Sequence, residues 1–200
     1  MTLMTRFDAL VASAQACRVC PDKDGRRRVL GPANGPVTPR VLFVAEAPGR
    51  RGAERTGIPL TGDQTGIIFG RLLTSAGIVR EEVFISNAVL CNPRDGNKNR
   101  APTRSELAAC RHHLATLIAI LDPPVVATLG RVALRQLHAI SPVPETTYGV
   151  AVPWNGTILM PLIHPSPRAT IHRSLSQQHE DWRALGITVR TMTGPPSSPA

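Results

Sequence analysis

Two apolar runs in this chain end in groups that core packing does not ask for. Val41-Leu42-Phe43-Val44-Ala45 breaks into Glu46-Ala47-Pro48-Gly49, and Thr157 to Ile163 ends at His164-Pro165-Ser166-Pro167-Arg168. A strand buried on both faces of a parallel sheet reads as a continuous hydrophobic run. Ligands of open α/β sheets bind in the crevice beyond the carboxyl ends of such strands. Glu46 therefore stands where chemistry is commonly done, and Pro165 and Pro167 fix the backbone around the His164 imidazole. A third run, Val83 to Val89, passes through Asn87 on its way to Cys91. If the three run parallel, a carboxylate, an amide and an imidazole converge on one edge, a constellation suited to hydrolysis. The competing account of His164 alone is a hydrogen-bonded histidine closing a strand.

The second set of chemical groups is sulfur. The four cysteines are Cys17, Cys20, Cys91 and Cys110, the first two forming a Cys-x-x-Cys. In a chain of this kind that pattern points to metal binding or redox chemistry before structural disulfides. Four thiolates suit an iron–sulfur cluster and, by count alone, suit zinc equally.

These groups need elements to hold them. Phe7, Leu10, Val11 and Ala14 make a helical stripe over residues 4–16 that leads into Cys17. From Pro21 to Arg40 the chain is polar and rich in Pro, Gly and Arg, including Arg26-Arg27-Arg28, and reads as an irregular surface segment. After the Glu46 strand, residues 50–62 read as a glycine-punctuated loop over the strand end. A helix is predicted over Asp63 to Ala76, with Ile67, Ile68, Leu72 and Leu73 inward and Gly77 closing it. Residues 92–100 form an exposed basic loop. Thr103-Arg104-Ser105-Glu106 is a capping box for a helix that carries Leu107, Cys110, Leu114, Leu117 and Leu121 inward and stops at Pro123-Pro124. Val125 to Gly130 is a third strand with a short helix to His138. Thr157 to Ile163 is the fourth strand, and a last helix covers Leu175 to Leu185. The pattern predicts an α/β fold: one domain over residues 1–190, a three-layer α/β/α arrangement with a central, mainly parallel four-stranded sheet. A disordered Pro/Ser-rich tail is expected over 191–200.

Composition narrows the partner. The 200 residues are 42% hydrophobic and 18% charged, ordinary for a soluble globular domain. No apolar run approaches the ~20 residues that span a bilayer. Arg6 and Asp8 interrupt the N-terminal apolar pattern, so it does not read as a secretory signal, and a cytoplasmic location is expected. Lys plus Arg is 23 against 14 acids, a net charge of +9 with a sequence pI near 10.9. That excess favours a polyanion such as nucleic acid. The competing reading is an arginine-rich composition inherited from the genome.

The motifs, taken in order, resemble those of the uracil-DNA glycosylase superfamily in its iron–sulfur branch. Ala45-Glu46-Ala47-Pro48-Gly49 is similar to the first motif of that branch, and Thr56-Gly57-Ile58-Pro59-Leu60-Thr61-Gly62 to the loop that follows it. Ser86-Asn87-Ala88-Val89 resembles the asparagine strand, and His164-Pro165-Ser166-Pro167 the second catalytic motif. The likeness runs from Cys17 to about Leu185. It implies a monofunctional enzyme, a monomer, that flips uracil out of DNA, hydrolyses the N-glycosidic bond and leaves an abasic site in base excision repair. It implies Glu46 and His164 as catalytic residues, and Ala45, Ala47, Leu60, Asn87 and Arg168 as substrate-binding residues. Cys17, Cys20, Cys91 and Cys110 would ligate a [4Fe–4S] cluster, and the protein would associate with the nucleoid through DNA. Arg168 would enter the duplex where the base leaves or grip phosphate.

The sequence departs from that pattern in three places. Leu60 stands where relatives carry a phenylalanine that stacks on uracil, so Phe69 or Tyr148 is a candidate to replace it. Ala45 replaces the first glycine. The loop Gly96 to Ala101 lacks the histidine with which one branch bonds covalently to DNA, so no cross-link is expected, and His112 and His113 read as surface and flank residues. Two further readings remain open: a glycosylase for another deaminated base, and a uracil- or abasic-site-binding protein without turnover.

Overall fold

The computed structural model describes residues 1–194. In chain order the elements are α1 (Leu3–Ala16), β1 (Val41–Ala45), α2 (Ala53–Thr56), α3 (Gln64–Ser75), β2 (Val83–Asn87), β3 (Arg94–Asp95), β4 (Lys98–Asn99), α4 (Arg104–Leu121), β5 (Val125–Leu129), α5 (Arg131–His138), β6 (Val152–Trp154), β7 (Thr157–Leu162) and α6 (Leu175–Thr193). The main sheet has the order β2-β1-β5-β7-β6, and β3 pairs with β4 in a separate hairpin.

Every residue of β1, β2 and β5 is buried. Because side chains alternate across a strand, β1 feeds two cores at once. Leu42 and Val44 pack with α1, α4 and α5, while Val41, Phe43 and Ala45 pack with α3 and α6. In the second core Phe43 stacks on Trp182 at 5.4 Å between ring centroids, and Phe69 meets both rings edge-on. There α6 lies so close to α3 that a Cβ on Gly186 would stand 1.9 Å from the Ala76 carbonyl oxygen.

The expected α/β class and layers are present, but the sheet has five strands, not four. The fifth, β6, runs antiparallel to β7, pairing Val152 with Leu159 and Trp154 with Thr157. Asn155 and Gly156 join them with φ 48 and 82, the left-handed pair that a two-residue hairpin requires. Asn-Gly was the signal for it, and Pro153 at the centre of a three-residue run hid the strand.

Four smaller expectations also change. Ile67 is 52% exposed, and Phe69 takes the inward place beside Leu72 and Leu73. The segment after Cys20 is not a surface loop: Val29, Leu30 and Asn34 are buried, and Asn34 Nδ2 donates to the Ile85 carbonyl at 2.7 Å. Arg26 donates to the Asn92 carbonyl and Arg28 to the Cys17 carbonyl, so these arginines tie backbone together. His113 is buried against the core, with neither ring nitrogen partnered among the described residues. The last helix passes Leu185 and continues through Thr193, whose hydroxyl accepts from Arg40 Nε at 2.7 Å. Residues 195–200 of the expected tail lie outside the described residues. Among the described residues no helix is long and apolar enough to cross a membrane.

Candidate active site

Successive connections place β2 on one side of β1 and β5 on the other, so the chain reverses direction across the sheet between β1 and β5. That switch point is where open α/β sheets leave a crevice. The parallel register aligns Ala45 with Asn87, and Ala127 with Met160, so the carboxyl ends of β1, β2, β5 and β7 share one edge. Beyond it lies a cavity of about 260 Å³ lined by Glu46, Ala47, Leu60, Asn87 and His164. Five sequence-predicted site residues therefore meet in one place.

The backbone makes that meeting possible. The ladder continues past the strands: Ala88 N–H donates to the Ala45 carbonyl at 2.8 Å and Val89 N–H to the Glu46 carbonyl at 3.2 Å. Gly130 closes β5 with φ 93 and donates to the Leu162 carbonyl at 2.8 Å. A Cβ on Gly130 would stand 3.3 Å from the His164 Cβ, so glycine serves both the left-handed turn and the room for the imidazole. Leu60 adopts φ 50 without being glycine, a backbone state uncommon for a large side chain and frequent at binding sites.

Burial shifts the two titratable groups at the strand ends in opposite directions. It raises the Glu46 carboxyl above its ordinary pKa, with Arg135 pulling the other way. It lowers the His164 imidazole, opposed by the Asp63 carboxylate. His164 is therefore neutral at neutral pH, able to donate one N–H without carrying a charge. Asn87 is 4% exposed, and its Nδ2 is buried with no partner among the described residues. A buried amide without a partner is costly unless a ligand completes it.

The remaining two site residues fall elsewhere. Ala45 is sealed inside β1 and touches the cavity only through its neighbours. Arg168 lies in an adjoining cavity of about 450 Å³ that shares Glu46 and His164 and also holds Tyr148. Phe69 belongs to the core and does not reach the site, so it does not replace the missing aromatic beside Leu60.

Three lining residues escaped the sequence reading. Asp63 caps α3 by accepting from Gly66 N–H at 3.1 Å and also faces the cavity; its helix-start signal concealed its second place. Asn92, 1% exposed, donates to the Pro48 carbonyl at 2.5 Å and to Asn99 Oδ1 at 3.0 Å. Asn99 in turn accepts from Arg50 N–H at 3.2 Å. These contacts fasten the β3–β4 hairpin to the turn after β1. The cluster of asparagines after Cys91 was the available signal.

All four cysteines line a second, small cavity together with Lys23, Arg28 and Glu106; Val19, Val89 and Ala109 complete its wall. Burial raises the thiols of Cys20, Cys91 and Cys110, the last to about 11. Thiolates there need nearby cations, and Lys23 and Arg28 are in place. A chamber lined by four thiols, with Lys23, Arg28 and the Glu106 carboxylate in its wall, offers the donor types of a four-thiolate centre. Among the described residues no group of three or more His, Cys, Asp or Glu is arranged to hold a metal ion.

An ionic network through Glu106 and Asp22 joins the two cavities. Glu106 takes both guanidinium nitrogens of Arg100 at 2.6 and 2.8 Å, the Thr103 N–H at 2.7 Å and the Lys23 ammonium. Arg100 lines the Glu46 cavity and Lys23 lines the cysteine cavity.

The family model for the uracil DNA glycosylase superfamily matches residues 32–186, leaving Cys17 and Cys20 outside the match. A type-4 uracil-DNA glycosylase of Thermotoga maritima is 37% identical over 152 residues, covering 75% of this chain and 76% of its own. The type-4 enzyme of Archaeoglobus fulgidus is 29% identical over 92% of this chain and 93% of its own. A type-5 uracil-DNA glycosylase of Thermus thermophilus is 32% identical over 66% and 72% respectively. On the extent of these matches and on the convergent strand ends, the chain belongs to the uracil DNA glycosylase superfamily, beside its type-4 and type-5 members.

Proposed function

We propose that this chain is a hydrolytic glycosylase that takes uracil out of DNA into the Glu46–Asn87–His164 cavity, cleaves the N-glycosidic bond and leaves an abasic site. The observation that carries the reading is the buried, unpartnered Asn87 amide facing the same cavity as Glu46 and His164. A base must leave the stack to be reached, and an asparagine amide can accept from uracil N3–H while donating to O4. Cytosine offers the opposite pattern and would leave buried groups unpaired. As the bond breaks, negative charge builds on the departing base, and the neutral His164 N–H stabilises it without proton transfer. The Glu46 carboxylate stabilises the cationic sugar or orients the attacking water, and its raised pKa makes it the stronger base.

Cys17, Cys20, Cys91 and Cys110 are the residues that would hold a [4Fe–4S] cluster, and such a group supplies structural cross-linking of the segments it joins. These cysteines would bind the turn after α1, the chain after β2 and the middle of α4 to one another. Iron with acid-labile sulfide in the purified protein supports this assignment, whereas zinc alone overturns it.

The direct test is cleavage of labelled oligonucleotides bearing uracil, thymine, hypoxanthine or xanthine, with Glu46→Ala and His164→Ala alongside. Alkali-dependent scission at uracil, lost in both variants, is the expected result. Tight binding with no scission at any base overturns the enzyme reading.

A second reading keeps the chemistry and changes the base. It is favoured by Leu60 on the cavity wall, where the resemblance places an aromatic ring. Stacking a base on an aromatic side chain contributes about 1–3 kcal/mol. Leu60→Phe is accordingly expected to lower KM for uracil-containing DNA at least about fivefold. An unchanged KM means that Leu60 does not contact the base.

The two shifted groups also fix the pH profile. Excision requires ionised Glu46, so kcat/KM is expected to rise with pH up to the raised Glu46 pKa, above the ordinary carboxylate range, and then level off. His164, lowered by burial, adds no ionisation on the neutral side. In Glu46→Gln the acid limb disappears together with most of the rate. An acid limb persisting in that variant assigns the ionisation to another group.

A further inference from the structure

Between α4 and α5, on the face of the sheet away from Trp182, lies a separate cavity of about 400 Å³. Arg104, Arg111 and Arg135 line it, with Gln136 and Leu107, and no acidic side chain is among its walls. Among the described residues none of the three arginines forms an ion pair or donates a side-chain hydrogen bond. By contrast Lys23, Arg94 and Arg100 are all paired with carboxylates. The Arg111 Nε is buried with no partner. Three converging guanidinium groups repel one another, and a buried N–H without an acceptor is costly. An anion in the groove removes both penalties, and the planar guanidinium fork matches phosphate oxygens.

The position of the groove says which phosphate. Gln136 Nε2 donates to the Leu107 carbonyl at 2.7 Å and reaches the Ala88 carbonyl at 3.5 Å, so the groove floor is joined to the residue after Asn87. The helix that carries Arg135 starts at Arg131, one turn earlier on the same face, and Arg131 lines the Glu46–His164–Arg168 cavity. Arg135 is close enough for its charge to act on Glu46. Arg104 and Arg135 are both exposed, so a strand can reach them from solution. Two cavity walls and one helical turn thus connect Arg168 and Arg131 to Arg135, Arg111 and Arg104.

We propose that the Arg104–Arg111–Arg135 groove grips a backbone phosphate of the DNA strand that lies beside the base cavity, extending the footprint beyond the excised nucleotide. The inference rests on the DNA reading above in taking the polyanion to be DNA, and needs no assumption about which base is removed.

The test is the salt dependence of binding to a uracil-free duplex, measured by fluorescence anisotropy for the wild type and for Arg104→Gln/Arg135→Gln. Arg111 is left in place because its buried nitrogen makes it part of the packing. Arg6→Gln/Arg183→Gln, on the exposed faces of α1 and α6, removes the same charge away from the groove. The groove variant is expected to lose about 0.9 from the slope of log Kd against log salt for each phosphate contact removed. The control pair keeps the wild-type slope, and an oligonucleotide too short to leave the base cavity binds both variants alike. A groove-variant slope equal to wild type, in protein whose thermal unfolding is unchanged, overturns the proposal. Inorganic phosphate binding that the groove variant loses while its DNA slope stays fixed assigns the site to a free anion and overturns it as well. A reduced slope in a protein that cleaves no base leaves the groove standing and removes only the glycosylase reading.

Discussion

Replacing His164 with alanine is expected to slow uracil excision about 10²–10³-fold, the effect of removing one donor aimed at developing negative charge. The side chain stands after β7 in space that Gly130 leaves open, and burial keeps it uncharged. Substrate binding should change much less, because the Asn87 amide and the cavity wall remain. Single-turnover kinetics with excess enzyme separates the two: the chemical step falls while the half-saturating enzyme concentration stays within a few-fold. A chemical step within tenfold of wild type would show that His164 does not face the reacting bond. His164→Gln keeps an N–H donor of a different reach, and partial recovery of rate with it would mark hydrogen bonding as the lost function.

Glu106→Ala is expected to be the most damaging single change to stability outside the apolar core. Lys23 is 3% exposed and Glu106 is 7% exposed. Breaking a buried pair typically costs about 3–5 kcal/mol; here Lys23 would keep only the half-exposed Asp22 carboxylate, so the loss is expected toward the low end of that range. Native domains hold only about 5–15 kcal/mol in all. The same substitution frees the Thr103 N–H at the start of α4 and both nitrogens of Arg100. Chemical denaturation midpoints measure the loss, and one below about 1 kcal/mol would contradict the account. The pH dependence gives a second check. Arg100, Lys23 and the Thr103 N–H together hold the Glu106 carboxyl far below the usual carboxylate range. A depressed folded pKa contributes stability that is complete above the unfolded value near 4.3 and declines as pH falls below it. Wild type should therefore lose stability on acidification more steeply than Glu106→Gln, which is less stable at neutral pH and lacks the titration.

The convergence of side chains at one sheet edge was legible because it follows from topology. Parallel strands bring their carboxyl ends together whatever lies between them, so Glu46, Asn87 and His164 could be joined from three apolar runs. The cysteine chamber was legible from the spacing of Cys17 and Cys20 and from the helical phase of Cys110. What stayed hidden depends on contacts between distant residues. Asn92 reaches Pro48 across 44 positions, and the sequence around it shows only a polar loop. Asp63 announced itself as a helix cap, and one such role masks another. The triple arginine at 26–28 read as part of an irregular surface segment, yet these side chains hold the carbonyls of Asn92, Glu54 and Cys17. Charge counting cannot separate cations that brace the backbone from cations left to a partner. His113 shows the same limit, since adjacent histidines look exposed by composition while one of them lies inside the domain.

The short β6 strand has a consequence for behaviour at high concentration. An exposed sheet edge is a template on which a second chain can add a strand, a common route into aggregates. Here the outer edge beyond β7 is only Val152, Pro153 and Trp154, and the proline at its centre has no N–H to offer. The three residues of β6, folded back by the Asn155-Gly156 turn, thus blunt the sheet and leave an incoming strand too few donors to hold register.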